Sequence, residues 1–130
     1  MRSRYALILA MLAGFGLGAA AVQSLHAQAG KGPGAYVIVD ITEINDPKTF
    51  RTVLPKEPQA LSAFGGHFVT RTENIIGLDG VSPLRFAIIA FETMQKASSW
   101  SESAPQTEIN DIRAKSTKSR SFIVAAEGKD

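Results

Sequence analysis

The side chains best equipped for chemistry in this chain are few and widely spaced. His67 is one of 2 histidines, the other being His26 near the start. Imidazole titrates near neutrality, so His67 is the candidate general base. Asp40 and Glu92 sit in or beside apolar runs, where an ionised carboxylate is costly unless paired. A carboxylate so placed suits proton transfer, so Asp40 joins His67 as a candidate catalytic group. Pairing of these acids with Arg71, Arg85 or Arg120 is the structural alternative.

Candidate ligand-binding residues lie further along. The indole of Trp100 can wall a pocket and donate its N–H, or simply anchor the core. The planar fork of Arg113 matches a carboxylate, although Glu108 or Asp111 on the same helical stretch could pair with it instead. Ser103 lies between them and can cap a helix. In Phe64-Gly65-Gly66-His67-Phe68 an apolar helix pattern hands over to a strand. Gly65 and Gly66 either let a ligand approach the backbone or form a cap and a tight turn. With Trp100, Ser103 and Arg113 this turn is expected to shape one small cavity.

Other chemistries leave no trace. The sequence has no phosphate-binding glycine loop, nucleophile elbow or His-Glu-x-x-His, and Gly-Leu-Asp-Gly at 77–80 is a turn. With 0 cysteines there are no disulfides and no thiolate sites. One histidine outside the N-terminal stretch cannot build a multi-histidine metal site alone, and no metal or cofactor is implied.

The positioning elements follow from pattern. Residues 35–44 read as a strand. Asp46 can cap a helix that Pro47 opens, with Phe50, Val53 and Leu54 at helical spacing. Pro55 and Pro58 should interrupt it, and a second piece carrying Ala60, Leu61 and Phe64 ends at Gly65-Gly66. Strands are predicted over 67–73 and 84–92, joined by a turn-rich connection. Thr93 then opens a helix with Met94, Ala97 and Trp100 on one face, and Ser103 caps another that holds Ile109 and Ile112. A last strand is predicted over 121–126. The order is β-α-β-β-α-β.

The N-terminal stretch reads differently. Arg2 and Arg4 precede an uncharged apolar run over 5–22, and Ala27 and Ala29 supply a small-residue cleavage site. This is the pattern of a secretory signal over 1–29, followed by a flexible leader over 30–34 and one domain over 35–128. The alternative is a retained anchor, since the run is near the shortest that spans a bilayer, about 17 residues. The product is expected to be periplasmic or secreted. Removing Arg2 and Arg4 from the 14 basic residues leaves 12, against 12 acidic. A balanced charge with no basic cluster gives no footprint for nucleic acid or an anionic membrane.

Strands 36–41 and 84–91 are apolar on both faces, whereas antiparallel strands usually alternate. Helices cover one face in this topology, so a second copy of the sheet is the economical cover for the other. A homodimer enclosing a barrel follows. If Val37, Val39 and Ile41 face the helices, then Tyr36, Ile38 and Asp40 face the shared interior and Tyr36 becomes a candidate ligand contact; the sequence equally allows the two faces to be exchanged.

The Asp46-Pro47 helix start, Phe64-Gly65-Gly66 with Arg71 after it, Arg85, and the set Trp100, Ser103 and Arg113 resemble the family called domain of unknown function 1330. The resemblance runs over about 35–128. It implies an α+β, ferredoxin-like sandwich with an antiparallel sheet, assembled as a dimeric α/β barrel. That superfamily includes cofactor-independent monooxygenases, isomerases and haem-handling proteins; the family itself implies no activity. The chain departs from the family pattern at Ser101 and Gln106, where tyrosines are common, and at Ala90, where an acidic residue is. These losses favour a small apolar or aromatic ligand bound in the barrel. A cofactor-independent enzyme, monooxygenase- or isomerase-like, with His67 or Asp40 as base is the alternative.

Overall fold

The structure is a computed structural model that describes residues 32–128. The signal segment and the first two leader residues lie outside the described residues.

Strand β1 (Ala35–Ile44) is the spine of the sheet. Asp46 ends the turn that follows by accepting the Thr49 backbone N–H at Oδ1 (3.2 Å) and the Thr49 hydroxyl at Oδ2 (2.6 Å). Helix α1 (Pro47–Phe50) therefore starts where its orphan amides find an acceptor. A 3-10 turn (Arg51–Val53) leads to α2 (Glu57–Ser62). Pro55 lies in the break between them, as expected, but Pro58 does not interrupt anything. It stands in the first turn of α2, where the missing N–H has no partner to lose. Strand β2 (His67–Thr72) and strand β3 (Arg85–Phe91) follow. Helix α3 (Met94–Glu102) is capped by Thr93, which accepts the Lys96 N–H at 3.0 Å. Helix α4 (Ala104–Ser116) is capped by Ser103.

Strand β4 (Thr117–Ala125) begins four residues before the predicted start at 121. No loop separates it from α4. The Thr117 hydroxyl donates to the Arg113 carbonyl (2.6 Å) and ends the helix, while Thr117 already pairs with Ile44. A register shift between Ile41 and Glu43 absorbs the extra length. The polar run Thr117-Lys118-Ser119 carries no strand periodicity, so this start is set by pairing across the sheet.

The sheet order is β2-β3-β1-β4, and every neighbouring pair is antiparallel. With the element order, this is the open ferredoxin-like α+β sandwich. Ala35, Val37, Val39 and Ile41 of β1 and Ala87, Ile89 and Phe91 of β3 face the helices and form the core with Phe50, Val53, Leu61, Ala97, Trp100 and Ile109. Burying each large apolar side chain contributes about 1.5–3 kcal/mol, before the entropy of ordering the chain. Gly65 takes φ 71° at the end of α2, a left-handed conformation that glycine adopts without strain. Gly66 is needed for closeness: a Cβ there would lie 2.6 Å from the Phe91 ring.

The opposite face has no helix on it. Register places Tyr36 between Ala90 and Val124, Ile38 between Ile88 and Phe122, and Asp40 between Phe86 and Arg120. Phe122 and Val124 are 44% and 37% exposed, whereas Val37 beside them on the helix side is 2% exposed. Of the two face assignments the β1 sequence leaves open, the structure has the one with Val37, Val39 and Ile41 toward the helices.

Candidate functional site

Between the helices and the sheet lies a cavity of about 30 Å³. Its floor is the helix-facing side of β1 and β3, with Val39, Ile41, Ala87 and Ile89. Phe50, Leu61 and Phe68 add apolar walls. Polar groups enter from Glu57, Arg85, Gln106, Arg113 and the indole of Trp100. A space this size holds one or two waters.

Trp100 stands on α3 because Ala97 and Trp100 form that helix's buried face. Its ring packs 5.3 Å from that of Phe91, and it is 4% exposed. Its Nε1–H is buried and has no hydrogen-bond acceptor. On α4, Gln106, Asn110 and Arg113 share one face by their three- and four-residue spacing. Asn110 Oδ1 accepts both from Arg113 Nη2 (2.8 Å) and from Gln106 Nε2 (3.0 Å). Burial pulls the Arg113 guanidinium below its ordinary pKa, and the nearby Glu57 charge opposes this. Glu57 itself is held by Arg71 at 2.8 Å, and Arg71 also covers the Phe68 ring at 4.6 Å. Arg85 pairs with Glu73 at 3.0 Å.

Of the residues singled out in the sequence, the structure brings Trp100 and Arg113 together on one cavity. Ser103 does not line it. Its hydroxyl caps α4 at the Gln106 N–H (3.4 Å) and donates to the Trp100 carbonyl (2.7 Å), fixing the joint between the two helices. Gly65 and Gly66 serve the turn and the packing on Phe91. Tyr36, Asp40 and His67 lie on the other face of the sheet. His67 is exposed and pairs in register with Ala90. Asp40 Oδ2 accepts from Arg120 Nε at 3.2 Å, while its buried Oδ1 has no partner. Glu92 pairs with Lys96 at 2.7 Å. Neither candidate base, His67 nor Asp40, therefore reaches the cavity.

Sequence reasoning missed Gln106, Asn110 and Glu57. The signal was present for two of them: Gln106 and Asn110 stand four residues apart beside the buried Ile109, on the stripe that continues to Arg113. Among the described residues no cluster of acidic and imidazole groups could hold a metal ion, and no helix is long and apolar enough to cross a membrane.

Fold and cavity together define a small ferredoxin-like protein with an apolar chamber tipped by buried hydrogen-bond donors. The chain belongs to the family described as domain of unknown function (DUF1330), whose model matches residues 34–127. No curated protein matches the sequence. Among solved structures it is similar to a protein of unknown function from Rhodopseudomonas palustris, at 10% identity and TM-score 0.56, over 74% of this chain and 83% of that one. A dimeric ferredoxin-like protein of unknown function from Thermobifida fusca matches at 13% identity and TM-score 0.52, over 73% and 92%. SnoaB, a cofactor-independent oxygenase from Streptomyces nogalater, matches at 14% identity and TM-score 0.51, over 73% and 94%. At such identities the likeness is one of fold.

Proposed function

We propose that this protein is an exported, homodimeric binding module that holds a small organic ligand within each protomer, in the hollow of about 200 Å³ that Trp100 and Arg113 line beside the inner cavity. The observation that carries the reading is the buried Trp100 Nε1–H, which has no acceptor although Trp100 lines, with Arg113, both the inner cavity and the wider hollow beside it. An unsatisfied buried donor costs about 1–3 kcal/mol, and a ligand acceptor would recover it. The export reading rests on the basic, apolar and small-residue pattern of residues 1–29. The dimer reading rests on the half-exposed apolar face carrying Ile38, Phe122 and Val124, and on the fold shared with a dimeric protein. The connection between β2 and β3 adds Ile76, Leu78 and Val81, which are 85%, 95% and 84% exposed and want a cover.

Native mass spectrometry of the protein expressed with its own N-terminal segment tests all three parts. The expected species is a dimer of chains starting near Gly30, with one small non-covalent mass per protomer. A bare monomer that retains its first 29 residues would overturn the proposal.

A further inference from the structure

The donors around Trp100 point to the chemistry of the ligand. Guanidinium offers five N–H groups, yet the side-chain partner of Arg113 is the single oxygen of Asn110, which Gln106 shares. None of the ion pairs among the described residues includes Arg113. The nearby carboxylate of Glu57 is engaged by Arg71. A half-buried cation with one side-chain acceptor and a buried indole N–H with none thus stand among apolar walls.

Trp100 and Arg113 line a second hollow as well. A groove of about 200 Å³ runs where α4 meets β4, with Val37, Phe122, Ile123 and Ser101 along it. The two residues line both spaces, and the groove is the wider of the two. An apolar cavity of about 150 Å³ holds benzene, so the groove takes one ring or a short chain.

We infer, resting on the reading that the ligand sits inside each protomer, that it is a monocarboxylate with an apolar tail. The carboxylate binds the Arg113 fork and the Trp100 N–H, and the tail lies along Val37 and Ile123. Two coplanar oxygens match a guanidinium edge and leave lone pairs for the indole. A doubly charged head group would stay half-neutralised in this apolar surround, because the wall supplies one unpaired cation.

Trp100 is the 1 tryptophan of the chain, so its fluorescence reports directly on the site. Titrating the purified protein with benzoate and hexanoate, and separately with benzamide and hexanamide, separates charge from shape. The acids should change the emission and raise the unfolding midpoint, and bind about tenfold or more tightly than their amides, as a charged hydrogen bond requires. Arg113→Gln should abolish that preference. Arg113→Lys, which keeps the charge without the fork, should restore part of it. Should Arg113→Gln not fold, the acid-to-amide ratio of the native protein decides. Equal binding of acids and amides would overturn the carboxylate assignment and leave the cavity reading standing. No response to any probe would overturn both.

Discussion

Ile38 and Val39 are neighbours in sequence and stand on opposite faces of one strand, and the two faces pose different problems. The helix-facing side is closed: Val39 is 6% exposed, and what is missing there is an acceptor for the Trp100 Nε1–H. The open side is complete in its hydrogen-bonded ladders, but its apolar side chains are half covered and Asp40 Oδ1 has no partner. One face lacks a small polar group and the other lacks surface. On the proposed reading a ligand answers the first and a second copy of the sheet answers the second, so a single apolar strand would serve two partners of different size.

Charge placed on this strand separates the faces most sharply. Val39→Asp puts an uncompensated carboxylate under the helices, at roughly 3–5 kcal/mol, a large share of the ~5–15 kcal/mol that holds a domain together. Circular dichroism should show it largely unfolded. Ile38→Asp, one residue away, should keep the native spectrum and convert the dimer to a monomer by size-exclusion chromatography. If both variants unfold alike, the open face is a core and the comparison fails.

Within the closed face, Trp100 combines packing with hydrogen bonding. Trp100→Ala should lose about 3–5 kcal/mol in denaturant unfolding. Trp100→Phe should lose under about 1.5 kcal/mol, because the ring contact with Phe91 survives and the N–H it deletes has no partner to leave behind. A Trp100→Phe loss as large as the alanine's would place a hidden acceptor at Nε1.

Gly66→Ala is a smaller perturbation of the same packing. Its methyl group would meet Phe91, a ring 1% exposed and backed by Trp100, so the ring cannot yield freely. A loss of about 1–3 kcal/mol in thermal or denaturant unfolding is expected. A neutral result would mean that the turn after α2 shifts easily.

The smallest effect lies away from both faces. The Thr49 hydroxyl and then the Thr49 backbone N–H hold the Asp46 carboxyl below its ordinary pKa in the folded protein. The folded value is the depressed one, so the cap's contribution is complete above the unfolded value of about 3.9 and is lost as pH falls through the folded value. Asp46→Asn should flatten that part of the acid limb of the stability curve while changing little near neutral pH. An unchanged acid limb would remove Asp46 from the account.

Local signals were legible in the sequence and long-range ones were less so. The caps at Asp46, Thr93 and Ser103 could be read because each depends on a side chain and an amide three residues away. The ends of β1 were legible because Asn45-Asp46-Pro47 stops it. The start of β4 was not, since Thr117 joins the sheet through Ile44, far away in sequence. Of the site, the indole of Trp100 and the fork of Arg113 announced themselves by type. The separation of His67 from them depends on the β2–β3 register, which shifts between Phe68 and Thr70 and leaves no local mark. Asn110 escaped notice because a neutral amide on a helix looks like surface until Gln106 and Arg113 are seen to share its oxygen.

The most direct test asks whether the two faces work independently. Benzoate would be titrated into the Ile38→Asp protein, with Trp100 emission followed and size-exclusion chromatography establishing that it is a monomer. Binding within about twofold of the unsubstituted protein is predicted, because the proposed site is built within one protomer; RT is about 0.59 kcal/mol, so a larger change would signal real coupling. Loss of binding on monomerisation would contradict the account and move the ligand to the barrel between the two sheets.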